Sequence, residues 1–417
     1  MRKRVAFCAL GFLLVSTHLF AQEGLRDRDP TLSASQRISA DLRRARFRSG
    51  PFYLLSSIQL SDIGYDSQFF VPTSDQSSRI SFGLSAPQRL YYVPTKKTIF
   101  SVDATPQYTF FTSTTNIHAR NQFGYLTRGD AQFLLNHLYL DFYVSRSDAL
   151  VAYTGEINRI VTRKQDAAGI AGELKYSSRT SLVFKGAYGG SKFPSQRLQP
   201  TDVQIDLLAR KEQTYRATLV HKTFPLTALH AVAERSNYTF PFAAFKDSHR
   251  FFYGAGLAFD NGRTGFRAEM GPGKLEFRDP SQKNFSGLLG SADIRRRGAL
   301  WTFSAGVNRD IDFSLLTPNN YYVLDRATAL AEYAATRRLT IRFSDTAGID
   351  RYDIATVPSG GIFVRRRDTL NFAAVGWLYS LGRVRGGFDI GYFKRTSNAE
   401  IPTEDGIRGI LHLSFSP

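Results

Sequence analysis

The chain is nearly without cysteine and has no long apolar segment, and each absence excludes a class of protein. Cys8 is the only cysteine among 417 residues, so the chain beyond its N-terminus can form neither a disulfide nor a cysteine-ligated metal site. The mean hydropathy is −0.24, which argues against a bundle of membrane-spanning helices, because each such helix needs about 20 apolar residues in a row. These values are compatible with a β-barrel, whose strands expose only every second side chain to lipid.

The histidines show no metal-binding or catalytic spacing. None of the seven forms a His-x-x-x-His pattern, and we predict neither a metal site nor a cofactor; they are His18, His118, His137, His221, His230, His249 and His412. His118 and His249 lie in or beside predicted loops, so a hydrolase site at the rim of the fold would have to use them. We keep that hydrolase as the least favoured alternative and predict that the chain is not an enzyme.

The positive charge of the chain is spread out. The formal net charge is +18, and a basic chain often binds nucleic acid. Here the lysines and arginines do not gather in one block but recur at the ends and on the polar faces of the predicted strands. We therefore predict no nucleic-acid partner.

The first 50 residues differ from the rest. Residues 1–21 have a positive start at Arg2, Lys3 and Arg4, followed by an apolar stretch over 5–15 and a plausible cleavage point after Ala21, as in a secretory signal peptide. The apolar stretch is too short to span a bilayer. Residues 22–50 have a helical apolar spacing that ends at a Gly-Pro pair, which predicts a lead-in segment, either a short helix or disordered.

From residue 51 onward the apolar residues recur with a period of two. Residues 138–145 place Leu, Leu, Phe and Val on one face, and Tyr, Asp, Tyr and Ser on the other. Residues 79–86, 180–188, 339–344 and 383–392 repeat the alternation. Successive side chains of a strand point to opposite faces, so this pattern predicts strands with one dry face and one wet face.

Short and long connections between these strands alternate without a break. Eight short connections fall at 94–97, 135–137, 177–180, 223–226, 260–263, 296–299, 335–338 and 381–383. Nine longer polar loops fall near 65–78, 113–119, 150–162, 193–203, 241–247, 278–284, 312–319, 353–361 and 397–404. Transmembrane barrels of bacteria have short periplasmic turns and longer outer loops.

The fold predicted for residues 51–417 is therefore an all-β, transmembrane, antiparallel up-and-down β-barrel. The seventeen connections imply about 18 strands, within a range of 16–18. The barrel is expected in the outer membrane of a Gram-negative bacterium. Because the first and last connections are both long, both termini are expected in the periplasm, and residues 22–50 become a periplasmic lead-in.

Ionic residues on the wet face are the candidate site. An Arg or Lys that faces lipid at the bilayer midplane costs about 2–4 kcal/mol, so charged side chains are expected to line the lumen. The candidates are Asp103, Asp141, Lys175, Lys185, Arg263, Arg267, Glu269, Arg342, Arg383, Arg385 and Asp389. They favour a cation-lined passage for polar or anionic solutes; the alternative is a ladder of paired ionic residues that only fills the interior.

The last strand of the chain has an apolar face formed by Gly409, Leu411, Leu413 and Phe415. This face resembles the closing strand that barrel-assembly machinery recognises, which carries an aromatic residue near the C-terminus. Ser416 and Pro417 follow Phe415 here.

Three stretches, at 49–66, 133–141 and 333–340, resemble the porin-type outer-membrane β-barrels often found with bacterial exopolysaccharide biosynthesis and export genes. The resemblance covers residues 35–417 and implies a role in envelope passage, with outer-membrane lipid, barrel-assembly machinery and polysaccharide or small anionic solutes as partners. The main alternative is a non-conducting structural or surface-interaction barrel, closed by residues 22–50 or by an inward-folded loop. The oligomeric state is left open.

Overall fold

The chain folds almost entirely into strands. The computed structural model describes residues 42–43, 45, 47–66, 79–112, 122–152, 160–193, 205–315, 319–359, 362–398 and 404–415. The strands are β1 (Phe47–Ser49), β2 (Phe52–Ser56), β3 (Ile58–Asp66), β4 (Arg79–Ser85), β5 (Gln88–Thr95), β6 (Thr98–Thr112), β7 (Gln122–Leu134), β8 (Leu138–Ala152), β9 (Ile160–Lys175), β10 (Thr180–Lys192), β11 (Arg210–Phe224), β12 (Thr227–Thr239), β13 (Ser248–Asp260), β14 (Thr264–Phe277), β15 (Phe285–Arg297), β16 (Trp301–Phe313), β17 (Tyr321–Ala334), β18 (Leu339–Ser359), β19 (Ile362–Leu381), β20 (Val384–Ser397) and β21 (Glu404–Phe415). Two short 3₁₀ helices, Ile205–Leu208 and Ala244–Lys246, lie between strands.

These strands form one closed antiparallel barrel. β2 and β3 together make the first barrel strand, and β4 and β5 make the second, since β3 pairs with β4, β2 pairs with β5, and both β4 and β5 pair with β6. Each later strand pairs with the next, and β21 pairs with β3 to close the ring. The barrel thus has 18 strands, and the predicted up-and-down fold is confirmed.

The end of the predicted lead-in joins the sheet. β1 pairs with β2, and the tight connection between them contains Gly50, whose φ of 55° favours glycine. β21 ends opposite Ile58, so β1 lies beside β2 where β21 has stopped. The predicted signal peptide and most of residues 22–46 lie outside the described residues.

All eight short connections lie at one end of the barrel, which we call the turn end; the opposite end is the loop end. The Asn261-Gly262 turn has the left-handed φ of 80° at Gly262, and the Asn261 side chain accepts a hydrogen bond of 2.6 Å from the Thr264 backbone N–H. One predicted loop differs: β18 and β19 continue to Ser359 and from Ile362, so 353–361 is mostly strand. Register shifts after Arg351 mark bulges in this extension.

The outer surface of the barrel is apolar. Phe82, Phe184, Phe343 and Phe388 share the outward parity of their strands, and Phe343 is 48% exposed. Val144 is 62% exposed, although the adjacent residues of β8 are the buried Tyr143 and the half-buried Ser145. Such an exposed apolar wall is what a lipid-facing surface requires. In the last strand, Gly409, Leu411, Leu413 and Phe415 all carry the outward parity.

Candidate channel lining

Strand parity places most of the predicted site residues on the inner wall. The nine with inward parity are Asp103 on β6, Asp141 on β8, Lys175 on β9, Lys185 on β10, Arg267 and Glu269 on β14, Arg342 on β18, and Arg385 and Asp389 on β20. Arg263 and Arg383 lie instead in turns at the turn end, where both are exposed.

The inner wall of β5 to β8 carries two arginines that each meet an aspartate. Arg89 on β5 pairs with Asp103 on β6. Arg128 on β7 lies 2.7 Å from Asp130 and 3.9 Å from Asp141. Because a buried carboxylate is costly without a compensating partner, these arginines stabilise the aspartates on the inner wall.

A larger cluster spans β11 to β14. Arg216 on β11 lies 2.9 Å from Glu234 on β12 and donates two hydrogen bonds, of 2.7 and 2.8 Å, to Glu269 on β14. His230 Nε2 lies 3.3 Å from the same Glu269 carboxylate. Gly256 on β13 is directly opposite both His230 and Glu269. Arg216 thus reaches across two strands.

A third cluster lies on β17 to β20. Asp350 and Asp368 face each other across the β18–β19 pair and are both fully buried. Arg326 lies 2.6 Å from Asp350, while Arg366 and Arg395 lie 2.6 and 2.5 Å from Asp368. Three arginines therefore compensate two like charges that would otherwise repel each other.

Nearer the turn end, the same wall is less tightly paired. Arg342 lies 3.9 Å from Glu332, and Asp389 lies 3.6 Å from His412. Gly376 separates Arg342 from Asp389 in the register.

Further ionic residues of the inner wall fall outside the predicted set: they are Arg89, Arg128, Asp130, Arg216, Glu234, Arg326, Asp350, Arg366, Asp368 and Arg395. All carry the inward parity, so counting the alternation along every strand would have found them. Their pairing depends on the register between strands, which alternation within one strand does not fix.

At its loop end β16 separates from β15 and folds inward, while β17 stays paired with β18 up to Tyr322. The pairing of β15 with β16 stops at Gly290 and Arg309, whereas β16 and β17 stay paired up to Phe313 and Tyr321. Residues 310–315 and 319–324 are all buried, on both faces of the hairpin. We call these residues the inner hairpin.

The apolar face of the inner hairpin packs against the inner wall of β12 to β15. The Phe313 ring lies 4.8 Å from the ring centroid of Phe240 and 5.0 Å from that of Tyr238. Leu275 and Leu289, which have the inward parity on β14 and β15, belong to the same cluster. Side chains of outward parity on β16 thus contact side chains of inward parity on the preceding strands of the same wall.

Polar contacts hold the hairpin in the same place. Arg250 on β13 lies 2.7 Å from Asp310, and both are buried. Lys246, which is fully buried, donates a hydrogen bond to the Ser314 carbonyl oxygen. A buried lysine without such a partner would be strongly destabilising, so the hairpin and the 240–247 segment depend on each other.

Of the two histidines of the predicted rim hydrolase, one lies in the described part of the chain. His249 has the outward parity on β13, and its Nδ1 lies 2.7 Å from the Asn237 side-chain oxygen. His118 lies outside the described residues. Among the residues that are described, no three His, Cys, Asp or Glu side chains form a group that could hold a metal ion.

Over the same described ranges, no helix is long and apolar enough to cross a membrane.

No family model matches the chain, and no curated protein matches it either. Solved structures do share its fold. OccK9 (OpdG) of Pseudomonas aeruginosa is 12% identical with a TM-score of 0.52, over 87% of this chain and 98% of that one. OccAB3 of Acinetobacter baumannii is 13% identical with a TM-score of 0.50, over 87% and 99%. OpdK of Pseudomonas aeruginosa, solved with vanillate, is 10% identical with a TM-score of 0.50, over 87% and 98%. With its closed ring of 18 antiparallel strands, the chain therefore has the fold of the porin-type outer-membrane β-barrels.

Proposed function

We propose that the chain is a channel of the bacterial outer membrane through which small polar and anionic solutes pass. The observation that carries the proposal is the division between the two surfaces of the barrel. The outward positions are apolar and exposed, as at Val144 and Phe343, whereas the inward positions hold ionic clusters such as Arg216 with Glu234. Such a division fits a lipid-facing outside and a wet inside.

The strand number supports a passage. Barrels of about 16–18 strands are wide enough to leave an aqueous channel, whereas barrels of about 8 strands are filled by their own side chains. This barrel has 18 strands.

The arginines of the inner wall favour anionic solutes. A guanidinium group carries five N–H donors, so an arginine that is held by one carboxylate keeps donors available for a solute. Arg342 is such an arginine, because its Nε lies 3.9 Å from the Glu332 carboxylate and its side chain is 14% exposed. Vanillate, the small carboxylate in the OpdK structure, is a sensible first solute to test.

A second candidate function is a barrel that does not conduct. The specific observation in its favour is the inner hairpin, which is buried within the barrel and anchored by Arg250 and Lys246. If the hairpin closes the lumen, the barrel would serve as a scaffold or an interaction surface.

Planar bilayers separate these two candidates. We expect insertion of the purified protein to raise the conductance in discrete steps. Under a salt gradient, the sign of the reversal potential should show that anions pass more readily than cations. Conductance that appears only when residues 311–322 are replaced by a short glycine linker would favour the closed barrel. Absence of steps in both proteins, each verified as folded, would count against any passage.

Solute entry into liposomes tests the substrate class. Swelling rates are compared for vanillate, a neutral sugar of similar size and an acidic oligosaccharide. We expect vanillate to enter faster than the neutral sugar. The oligosaccharide tests the link to exopolysaccharide export, which rests on the sequence resemblance alone.

Location and assembly form part of the same proposal. We expect the turn end to face the periplasm, and the outward face of Leu411, Leu413 and Phe415, each at least 38% exposed, to be recognised by the barrel-assembly machinery. Deleting residues 404–417 should leave the chain unassembled in cell envelopes. Assembly at wild-type levels would contradict this part of the proposal.

A further inference from the structure

The outer wall near the loop end carries cations that the channel does not use. Lys192 on β10, Lys211 on β11, Arg235 on β12 and Lys274 on β14 are all exposed. Each has the same parity as an exposed apolar or aromatic residue of its own strand, so each side chain lies on the outward face. None of the four has a carboxylate partner among the described residues. We call Lys192, Lys211, Arg235 and Lys274 the cationic patch.

Aromatic residues lie next to this patch on the side of the turn end. Tyr188, Tyr215 and Tyr253 are exposed on the outward face by 52, 55 and 58%. Tyrosine is enriched where a membrane meets water, and girdles of aromatic residues border the apolar band of outer-membrane barrels. Lys192 and Lys211 each lie four residues beyond a tyrosine of this girdle, which is about 13 Å along the strand. The patch therefore lies at the level of lipid headgroups.

The strand register brings two of the cations close together. Arg235 is directly opposite Tyr215 on one side and Phe251 on the other, and Phe251 is directly opposite Lys274. Neighbouring strands are about 4.8 Å apart, so the backbones at Arg235 and Lys274 are about 10 Å apart.

The Arg235 side chain is held on the surface. Its guanidinium carbon lies 5.4 Å from the centroid of the Phe251 ring. Its Nε donates a hydrogen bond of 3.3 Å to the Asn237 side-chain oxygen. Among the described residues neither terminal nitrogen of this guanidinium donates a hydrogen bond, so both can bind an anion.

The surroundings of the patch indicate the charge of its ligand. Among the described residues of β10 to β14, the outward face near the loop end carries one acidic side chain, Glu276. Arginine and lysine both bind phosphate groups, arginine with two parallel hydrogen bonds. Exposed apolar side chains such as Met270 lie beside the patch on the side of the turn end, where acyl chains would pack.

We propose that the cationic patch binds the phosphate groups of an anionic membrane lipid. This inference rests on the proposed location of the barrel in a membrane, but not on conduction by its lumen. The lipid lies with its acyl chains along the apolar outer wall and its phosphates against Arg235, Lys274 and the two lysines beyond the tyrosine girdle.

Native mass spectrometry of the barrel in neutral detergent tests the proposal, with diphosphoryl lipid A as the probe and phosphatidylcholine as the reference lipid. The test variant is Lys211→Gln/Arg235→Gln/Lys274→Gln. The matched control is Arg179→Gln/Arg337→Gln/Arg338→Gln, which removes the same charge from exposed turns at the opposite end. We expect the wild type and the control to retain lipid A in preference to phosphatidylcholine, and the test variant to bind it about a hundredfold more weakly.

Equal binding by the test variant and the wild type would overturn the proposal, as would an equal loss in the control, which would indicate general charge attraction. Loss of an oligomer in the test variant without loss of lipid would identify the patch as an interface between copies and would also overturn it. Both variants are first checked for heat-modifiable migration on gels, so that a fold defect is recognised. Conductance in phosphatidylcholine bilayers tests the channel separately, because we expect both variants to conduct like the wild type.

Discussion

His230 on β12 and Glu269 on β14 meet across β13 because the residue between them is Gly256. The imidazole Nε2 lies 3.3 Å from the carboxylate, and the two residues are each directly opposite Gly256 in the register. A side chain at that position would occupy the space through which they meet. The contact between His230 and Glu269 on the inner wall therefore requires a glycine at position 256.

Replacing Gly256 with alanine should therefore destabilise the barrel. The added Cβ would lie 2.2 Å from His230 Nε2 and 2.3 Å from the Ala268 carbonyl oxygen. The backbone oxygen cannot move aside as a side chain could, and overpacking of this kind costs about 1–3 kcal/mol. We expect a lower urea midpoint for unfolding of the refolded barrel.

The matched control is Gly129→Ala, whose Cβ would be 3.7 Å from the nearest atom, in the Val144 side chain. It should change the urea midpoint little. Equal midpoints for the two variants would mean that the wall around Gly256 relaxes freely, contrary to the tight contact described here.

Replacing Arg216 alone should lower the free energy of unfolding more than replacing Arg216 together with its two carboxylate partners. Arg216→Met leaves Glu234 and Glu269 facing each other with side chains only 4 and 13% exposed, and breaking a buried ion pair on one side costs about 3–5 kcal/mol. We expect a lower urea midpoint and, in planar bilayers, a reversal potential displaced toward cation preference.

The compensating variant is Arg216→Met/Glu234→Gln/Glu269→Gln, which removes the uncompensated charges as well. It should recover most of the lost stability and part of the original ion preference. If it is no more stable than Arg216→Met alone, the arginine acts through its packing and not through its charge.

Alternation predicted the barrel because a lipid-facing wall and a wet lumen impose opposite demands on successive residues. The same rule fails at the inner hairpin. Ile311 and Phe313 have the outward parity and the apolar character of lipid-facing residues, yet they are only 4 and 3% exposed. At these residues β16 is no longer paired with β15, and nothing in the local sequence distinguishes an apolar residue that faces lipid from one that packs inside the barrel. The contact between Arg216 and Glu269 could not be predicted from the sequence either. It joins residues 53 positions apart and depends on the register of four strands.

Phe313→Ala should loosen the inner hairpin. The Phe313 ring packs against Tyr238 and Phe240, and truncating a buried phenylalanine costs about 3–5 kcal/mol. Since the β16 side of the hairpin is not paired with β15, we expect the loss to appear locally. Limited proteolysis should cleave near 310–324 sooner than in the wild type, and the single-channel conductance should rise.

Phe343→Ala is the control for this prediction, because Phe343 is 48% exposed on the outward face and contributes no packing to the hairpin. Proteolysis and conductance should match the wild type. Should Phe313→Ala leave both readouts unchanged as well, the hairpin would be held by Arg250 and Lys246 alone.

Single cysteines at 144 and 145 test which wall of the barrel faces lipid. Cys8 is the only native cysteine, so Cys8→Ser provides a clean background. Val144 is 62% exposed on the outward face, and Ser145 has the inward parity on the same strand. In liposomes we expect a charged, membrane-impermeant thiol reagent to modify Ser145→Cys and to change its conductance. Val144→Cys should be protected, because a charged reagent does not enter the hydrocarbon region. Both cysteines should react once the protein is unfolded in denaturant. The reverse pattern in liposomes would place the apolar wall in water and the ionic wall against lipid. That result would contradict both the membrane location and the channel.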